Sequence, residues 1–349
     1  MDTKNLKDEY KVTQLISVLK ENLKGKVNLS RIKFLGQLIG ALLKVQNVCF
    51  EKLATAFETE AKSASSLRRI QRFMADYVLN TDLIAQLIFK MLPHKPPYKL
   101  AMDRTNWQFG ETDINVLTLA IVYQNVAFPI LMLMLDKRGN SDTKERINIV
   151  NRYIKLFGRE TIDCLLADRE FVGGKWIASL NLCKIPYYIR IKENFYVQDP
   201  RTGNKMKASV MFADLKCGEY RYLHRIYRVN RQLCYSSTGS LTVFRLQKKK
   251  EKTENRNCKS LFLTTIVRHF DRLSDRKLTN RPEKSKKSYR ERWAIETCFK
   301  GLKSSGFNIE NTHLTDLERI DSSTSLTNRI FYCYAGLCLG LRCRSSYQR

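Results

Sequence analysis

Apolar residues recur at three- and four-residue spacing through the first 90 residues, the period of amphipathic helices. Asn28-Leu29-Ser30 reads as the cap of a helical run through Leu43, and further runs span Phe50 to Phe57 and Ser65 to Val78. Pro93, Pro96 and Pro97 then interrupt the pattern and mark a boundary, so residues 1–92 and 93–349 are expected to be separate domains. Beyond it the period changes to that of strands: Tyr98 to Asp103, Ile114 to Tyr123 and Val126 to Leu135, with Gln124-Asn125 as a tight turn. An amphipathic helix follows from Asp142 to Phe157, with Gly158 placed as its C-cap. Ile162 to Asp168 is an apolar strand ending in an acid, Gly174 to Leu182 a short helix, and Tyr187 to Ile191 another strand.

Three strands, a helix, a strand, a helix and a strand is the order of a ribonuclease-H-like α/β fold. From about 194 to 270 short, basic strands resume, and from Arg272 the chain turns helical to its end. The expected architecture is therefore an all-helical N-terminal part followed by an α/β core with a β-rich insertion. With 43% hydrophobic and 10% aromatic residues, the chain has enough apolar mass for a packed core. The charged stretch Met1 to Lys11 lacks the apolar core of a signal peptide. The longest uncharged apolar run, between Arg329 and Arg342, is too short to span a bilayer. A cytoplasmic protein acting at the nucleoid is the expectation.

Charge narrows the function. Lys and Arg number 62 against 34 Asp and Glu, a net +28, which calls for a polyanionic partner. Between Ile185 and Ser288 stand 25 of those cations and 9 acids. Tyr220 to Arg228 interleaves aromatic and basic residues, which on a strand would lay cations along a phosphate backbone; a merely solvated strand gives the same pattern. The run Lys248 to Lys252 reads as a solvated loop. In the N-terminal part, Arg68, Arg69 and Arg72 lie opposite Leu67, Ile70 and Phe73-Met74. A short helix, a turn and this basic helix resemble a helix-turn-helix, although many small helical domains look alike. Ten cysteines form no C-x-x-C pair and four histidines stand apart, so buried thiols are expected and no zinc site.

The chemistry rests on acids. Asp103 and Asp168 each end an apolar strand, and neighbouring strands would bring them to one sheet edge. An isolated Asp there often only starts a turn. A pair supplies hard oxygen donors for divalent metal, and two such ions can clamp an in-line phosphoryl displacement. Tyr289, Arg292, Glu296 and Lys303 fall within roughly 60° of arc on one helix. A surface stripe of ion pairs has the same spacing. The residue types sharpen it: Glu as a metal ligand, Arg and Lys as phosphate donors beside it.

Tyr289-x2-Arg292-x3-Glu296-x6-Lys303 matches the Y-R-E-K signature of DDE transposases of the insertion-sequence-four family, and the chain resembles that family over about residues 95–345. Leu100-Ala101-Met102-Asp103-Arg104-Thr105 and Ala167-Asp168-Arg169-Glu170-Phe171 resemble its two aspartate motifs, in the same order. The resemblance implies a bacterial insertion-sequence transposase with a ribonuclease-H-like core, a β-rich insertion and a helical N-terminal domain that recognises element ends. It implies that Asp103, Asp168 and Glu296 hold two Mg²⁺ or Mn²⁺ ions, that Arg292 and Lys303 grip phosphates, and that Tyr289 contacts the DNA backbone. Packing against the sheet is the alternative for Tyr289, and Trp293 on the same helix is expected in the core. The implied partners are transposon-end duplex, target DNA and a second copy of the chain in the synapse.

Two positions depart from the family's pattern. Many relatives carry a small residue where this chain has Glu170, which either adds a carboxylate near the metals or points away; the latter is expected here. Some relatives stack a flipped base on a Trp in the insertion; Lys259 to Thr264 contains none, so Phe262 is expected as a core strand residue and the resemblance does not carry a hairpin route of excision over to this chain. Two other functions fit the same residues: a DNA-binding relic of a transposase, and a ribonuclease-H-like nuclease that cuts without joining. Strand transfer separates the last from a transposase.

Overall fold

The structure, a computed structural model, describes residues 3–57, 61–77, 80–92, 94–109, 112–191, 194–198, 202–211, 213–214, 220–223, 228–229, 240–246, 261–268, 287–303 and 307–308. Five helices come first: α1 (Thr3–Leu23), α2 (Leu29–Val45), α3 (Phe50–Thr55), α4 (Ser63–Asp76) and α5 (Thr81–Met91). The Asn28 side chain caps α2 by accepting from the Ser30 amide, as the sequence suggests, and Asn80 caps α5 in the same way. Gly36 and Gly40 let α1 and α2 approach closely: a Cβ at Gly36 would lie 2.3 Å from Ile16 Cγ1. Leu15, Leu35, Ile39, Ile70 and Ile88 bury their side chains in a cluster that continues, without a break, onto one face of the sheet.

That sheet has eight strands in the order β3-β2-β1-β4-β5-β11-β10-β8. β1 (Tyr98–Phe109), β2 (Thr112–Tyr123) and β3 (Val126–Leu135) form an antiparallel meander. Gln124 and Asn125 turn the second hairpin with φ of 48° and 62°, the left-handed pair that a two-residue hairpin requires. Then α6 (Thr143–Phe157) carries the chain back to β4 (Ile162–Ala167), which lies parallel beside β1. A capping box between Asp142 and Glu145 starts α6, and Gly158 ends it at φ 85°. Next, α7 (Gly174–Leu182) leads to β5 (Tyr187–Ile191), parallel to β4. This is the order of elements that the sequence periodicity predicts, in a mixed α/β fold.

Beyond β5 come β6 (Tyr196–Gln198), β7 (Lys205–Lys207), the short α8 (Ala208–Met211), β8 (Tyr220–Leu223), β9 (Arg228–Val229), β10 (Ser240–Leu246) and β11 (Leu261–Arg268). The expected basic strands are thus present: β11, β10 and β8 extend the main sheet from β5, while β7, β6 and β9 form a small separate one. Phe262 lies in β11 opposite Arg245. The basic run Lys248 to Lys252, residues 224–227 of the aromatic–basic segment and most of the helical stretch expected after Arg272 lie outside the described residues. The last described helix, α9 (Trp293–Lys303), packs on the opposite face of the sheet from the N-terminal helices. Ile295, Cys298, Phe299 and Leu302 bury against Ala101, Val116, Cys164 and Leu166 there. Each such aliphatic or aromatic side chain removed from water contributes about 1.5–3 kcal/mol, which fixes α9 against the sheet. Among the described residues, no helix is long and apolar enough to cross a membrane.

Candidate active site

Strand parity aims the two aspartates. Along β1, Leu100 and Met102 face the N-terminal helices, whereas Ala101 and Trp107 face α9, so Asp103 shares the α9 face. Along β4, Leu165 and Ala167 face the first side and Cys164 and Leu166 the second, which puts Asp168, one residue beyond the strand, on the same face. The parallel ladder between β1 and β4 stops at Met102 and Ala167. Asp103 and Asp168 are therefore the next residues on adjacent strands.

One expectation is corrected here: Asp103 does not terminate its strand. β1 runs on to Phe109 because β2 continues to pair with it, with Asp103 opposite Thr118. It marks the end of the β4 contact instead. A second correction concerns the four-residue signature, which does not lie on one helix. Residues 287–290 are helical, a turn intervenes, and α9 begins only at Trp293. Amides of Glu291, Arg292, Ala294 and Ile295 bond three residues back rather than four, which tightens the chain through this corner. Glu296 and Lys303 lie within α9, while Tyr289 and Arg292 precede it. A salt bridge from Lys99 of β1 to Glu291, at 2.6 Å, holds the corner to the sheet.

The corner delivers two side chains to the acids. Arg292, 4% exposed, donates to Asp103 Oδ2 at 3.1 Å and to Glu296 Oε1. Tyr289, 3% exposed, packs against the sheet, and its hydroxyl donates to Asp168 Oδ1 at 3.3 Å. Asp103, Asp168 and Glu296 are thus gathered around one Arg–Tyr pair. Both donors reach carboxylates here, where the sequence reading expected phosphates. Lys303 reaches β1, donating to the Asn106 carbonyl and lying 5.7 Å over the Trp107 ring. Trp293 is not in the core as expected but 58% exposed: it sits two residues, roughly 200° of helix, away from the buried Ile295. In the N-terminal part, Arg68 and Arg72 are exposed on α4, while Arg69 lies over the Phe34 ring at 5.4 Å.

Burial raises the Asp103 carboxyl to about 6; the Arg104 amide and Arg292 oppose this, and the charges of Glu170 and Glu296 add to it. Burial also raises the Tyr289 phenol, keeping it a hydrogen-bond donor. Burial disfavours the charge on Arg292, but Tyr289, Asp103, Asp168 and Glu296 outweigh that and hold its pKa above the ordinary value. Asp103 has a raised pKa in the folded state, so its ionisation costs stability once the pH exceeds about 6 and costs nothing below the unfolded value of 3.8. The metal-free protein is expected to gain stability from this group as pH falls from about 6 toward 4. Urea unfolding across that range should show this gain in the wild type and its loss in Asp103→Asn.

The donor set fits a hard divalent cation in its chemistry: three carboxylates, one of them largely desolvated. As arranged, no three His, Cys, Asp or Glu among the described residues form a group that could hold a metal, and Arg292 bonds both Asp103 and Glu296. The sequence reading missed the ring of polar residues behind the acids, Arg104, Asn115 and Arg146. A buried Asn in the apolar run of β2 was the available signal.

A protein-family model described as "Transposase DDE domain" matches residues 94–323. No curated protein matches the chain significantly. Among solved structures, it is similar to the cryo-EM structure of a piggyBac transposase synaptic complex with hairpin DNA. The identity is 10% and the TM-score 0.48, over 93% of this chain and 72% of that one.

Proposed function

The chain belongs to the transposase DDE domain family, and from that premise we propose that it is a bacterial insertion-sequence transposase of the YREK type. It binds the ends of its element, cleaves a phosphodiester there and joins the freed 3′-hydroxyl to target DNA. The observation that carries this reading is the convergence of Asp103, Asp168 and Glu296, from two strands and a helix, on the single Arg292–Tyr289 pair.

In this reading Asp103, Asp168 and Glu296 hold two Mg²⁺ or Mn²⁺ ions. Such ions supply a lowered pKa for an attacking water and neutralise charge developing on the phosphate. The residues of the chain do the rest. Tyr289 orients Asp168 through its hydroxyl, and the backbone amide of Arg104 orients Asp103 at 2.8 Å. Arg292 supplies positive charge between two acids, and with those acids neutralised by metal its guanidinium would be free to donate to a DNA phosphate. Lys303, anchored on β1 at the Asn106 carbonyl, would grip a second phosphate. Residues 1–92 form a helical DNA-binding domain in which Arg68, Arg69 and Arg72 of α4 meet the element end. Residues 93–349 form the ribonuclease-H-like catalytic domain, with the basic strands of 194–270 inserted into it and facing DNA. A dimer on DNA follows from the need to hold two ends at once.

The test is incubation of the full chain with element-end duplex, a supercoiled target plasmid and Mg²⁺, with products resolved on denaturing gels. Joined end–target products are the expected result. Cleavage without joining would make the protein a nuclease, and binding without cleavage would make it a relic.

A further inference from the structure

Beyond Met102 and Ala167 no ladder hydrogen bond ties β1 to β4, although the two aspartates stand immediately after that point. Side chains take over there. Arg104, the residue after Asp103, places its Nε 3.6 Å from Oε1 of Glu170, two residues after Asp168. The same guanidinium donates to Asn115 Oδ1 at 3.1 Å and to Asn140 Oδ1 at 3.3 Å. Asn115 is 2% exposed, and its amide is spent on the carbonyls of Lys137 and Gly139, both at 2.9 Å. Asn115 and Asn140 therefore brace the Arg104 guanidinium.

Glu170 is braced as well. It lies in the single turn Arg169–Phe171, which the fully buried Phe171 pins into the core. The guanidinium of Arg146, itself 5% exposed and bonded to Ser141 Oγ at 2.9 Å, covers the Phe171 ring at 4.9 Å. Arg146 also lies close enough to Glu170 for their charges to attract. Glu170 thus faces two arginines. Arg104 Nε and Glu170 Oε1 are both buried and neither has a hydrogen-bond partner. With both atoms out of water, each is the other's nearest opposite charge, although the two side chains stay partly exposed.

We infer that Arg104 and Glu170 form a clamp between the two aspartate-bearing segments, where β1 and β4 part, setting the spacing of Asp103 and Asp168 and, through it, the affinity of the site for divalent cations. Both are positioning residues: neither need touch metal or DNA. The inference rests on the metal-dependent reading above and adds to it two residues outside the acid triad and the Y-R-E-K set. It also answers the question raised by Glu170, which turns toward arginines rather than serving as a fourth ligand.

The test is calorimetric titration of Mn²⁺ into the full-length, DNA-free chain. Glu170→Gln is expected to weaken Mn²⁺ binding about 10- to 100-fold, the range for partners that orient metal ligands, with the number of ions unchanged. Strand-transfer kcat should fall with it while KM for DNA holds. Wild-type affinity in Glu170→Gln, or a lost ion, overturns the clamp. Glu170→Asp keeps the charge at shorter reach. An affinity between those of wild type and Glu170→Gln supports the clamp, and an affinity equal to either overturns it. Asp168→Asn separates the two levels. If it binds Mn²⁺ like wild type, the metal reading itself fails; if it loses binding while Glu170→Gln does not, only the clamp fails.

Discussion

Glu296→Gln is expected to lower cleavage and joining by more than about 100-fold, beyond the loss caused by removing a residue that merely orients a metal ligand. The side chain is 42% exposed and keeps its shape in the substitution, so folding should survive. What disappears is one negative charge and one hard donor, on the acid that Arg292 joins to Asp103. Affinity for element-end DNA should stay within about twofold, because the phosphate contacts that dominate such binding are untouched. Denaturing gels for the products and fluorescence anisotropy for the DNA affinity check both halves. Joining at the wild-type rate would remove Glu296 from the chemistry.

Arg292→Ala should cost about 3 kcal/mol of unfolding free energy, at the lower end for breaking a buried ion pair because Glu296 is partly solvated. The loss falls mainly on Asp103, whose side chain is 15% exposed and would keep only the Arg104 amide against the charges of Glu170 and Glu296. Arg292→Lys should recover only part of it, since a single ammonium cannot fork between Asp103 and Glu296 as the guanidinium does. Adding Asp103→Asn to Arg292→Ala should restore most of the stability, because the charge left stranded is then gone. Urea unfolding near neutral pH measures all four proteins. A loss below about 1 kcal/mol in Arg292→Ala would mean that the site tolerates its acids without that counter-charge.

The sheet core was legible because its elements are local and strongly patterned. Tyr187–Ile191, Gly174–Leu182 and the Gln124-Asn125 turn stand where alternation, helical spacing and turn chemistry put them. The acids were legible for a related reason, in that a charged residue interrupting an apolar strand needs an explanation. Finer geometry depended on partners distant in sequence. The length of β1 is set by pairing with β2, so periodicity up to Asp103 missed the strand's continuation to Phe109. The break before Trp293 comes from three-residue hydrogen bonds and the Lys99–Glu291 bridge, neither of which a helical wheel contains. That break brings Arg292 and Tyr289 onto carboxylates and leaves Trp293 facing water. The Arg104–Glu170 contact joins residues 66 positions apart, and the sequence, from which Glu170 was expected to point away from the metals, offered no partner for it.

The central proposal is that Asp103, Asp168 and Glu296 would hold divalent metal where Arg292 now bonds Asp103 and Glu296. Its most direct test is a crystal of the full chain grown with Mn²⁺ and element-end DNA, measured at the manganese absorption edge. The account predicts anomalous density bounded by those three carboxylates, with the Arg292 guanidinium released from Asp103 and Glu296. Manganese bound elsewhere, with Arg292 still bridging the two acids in a preparation that joins DNA, would contradict it.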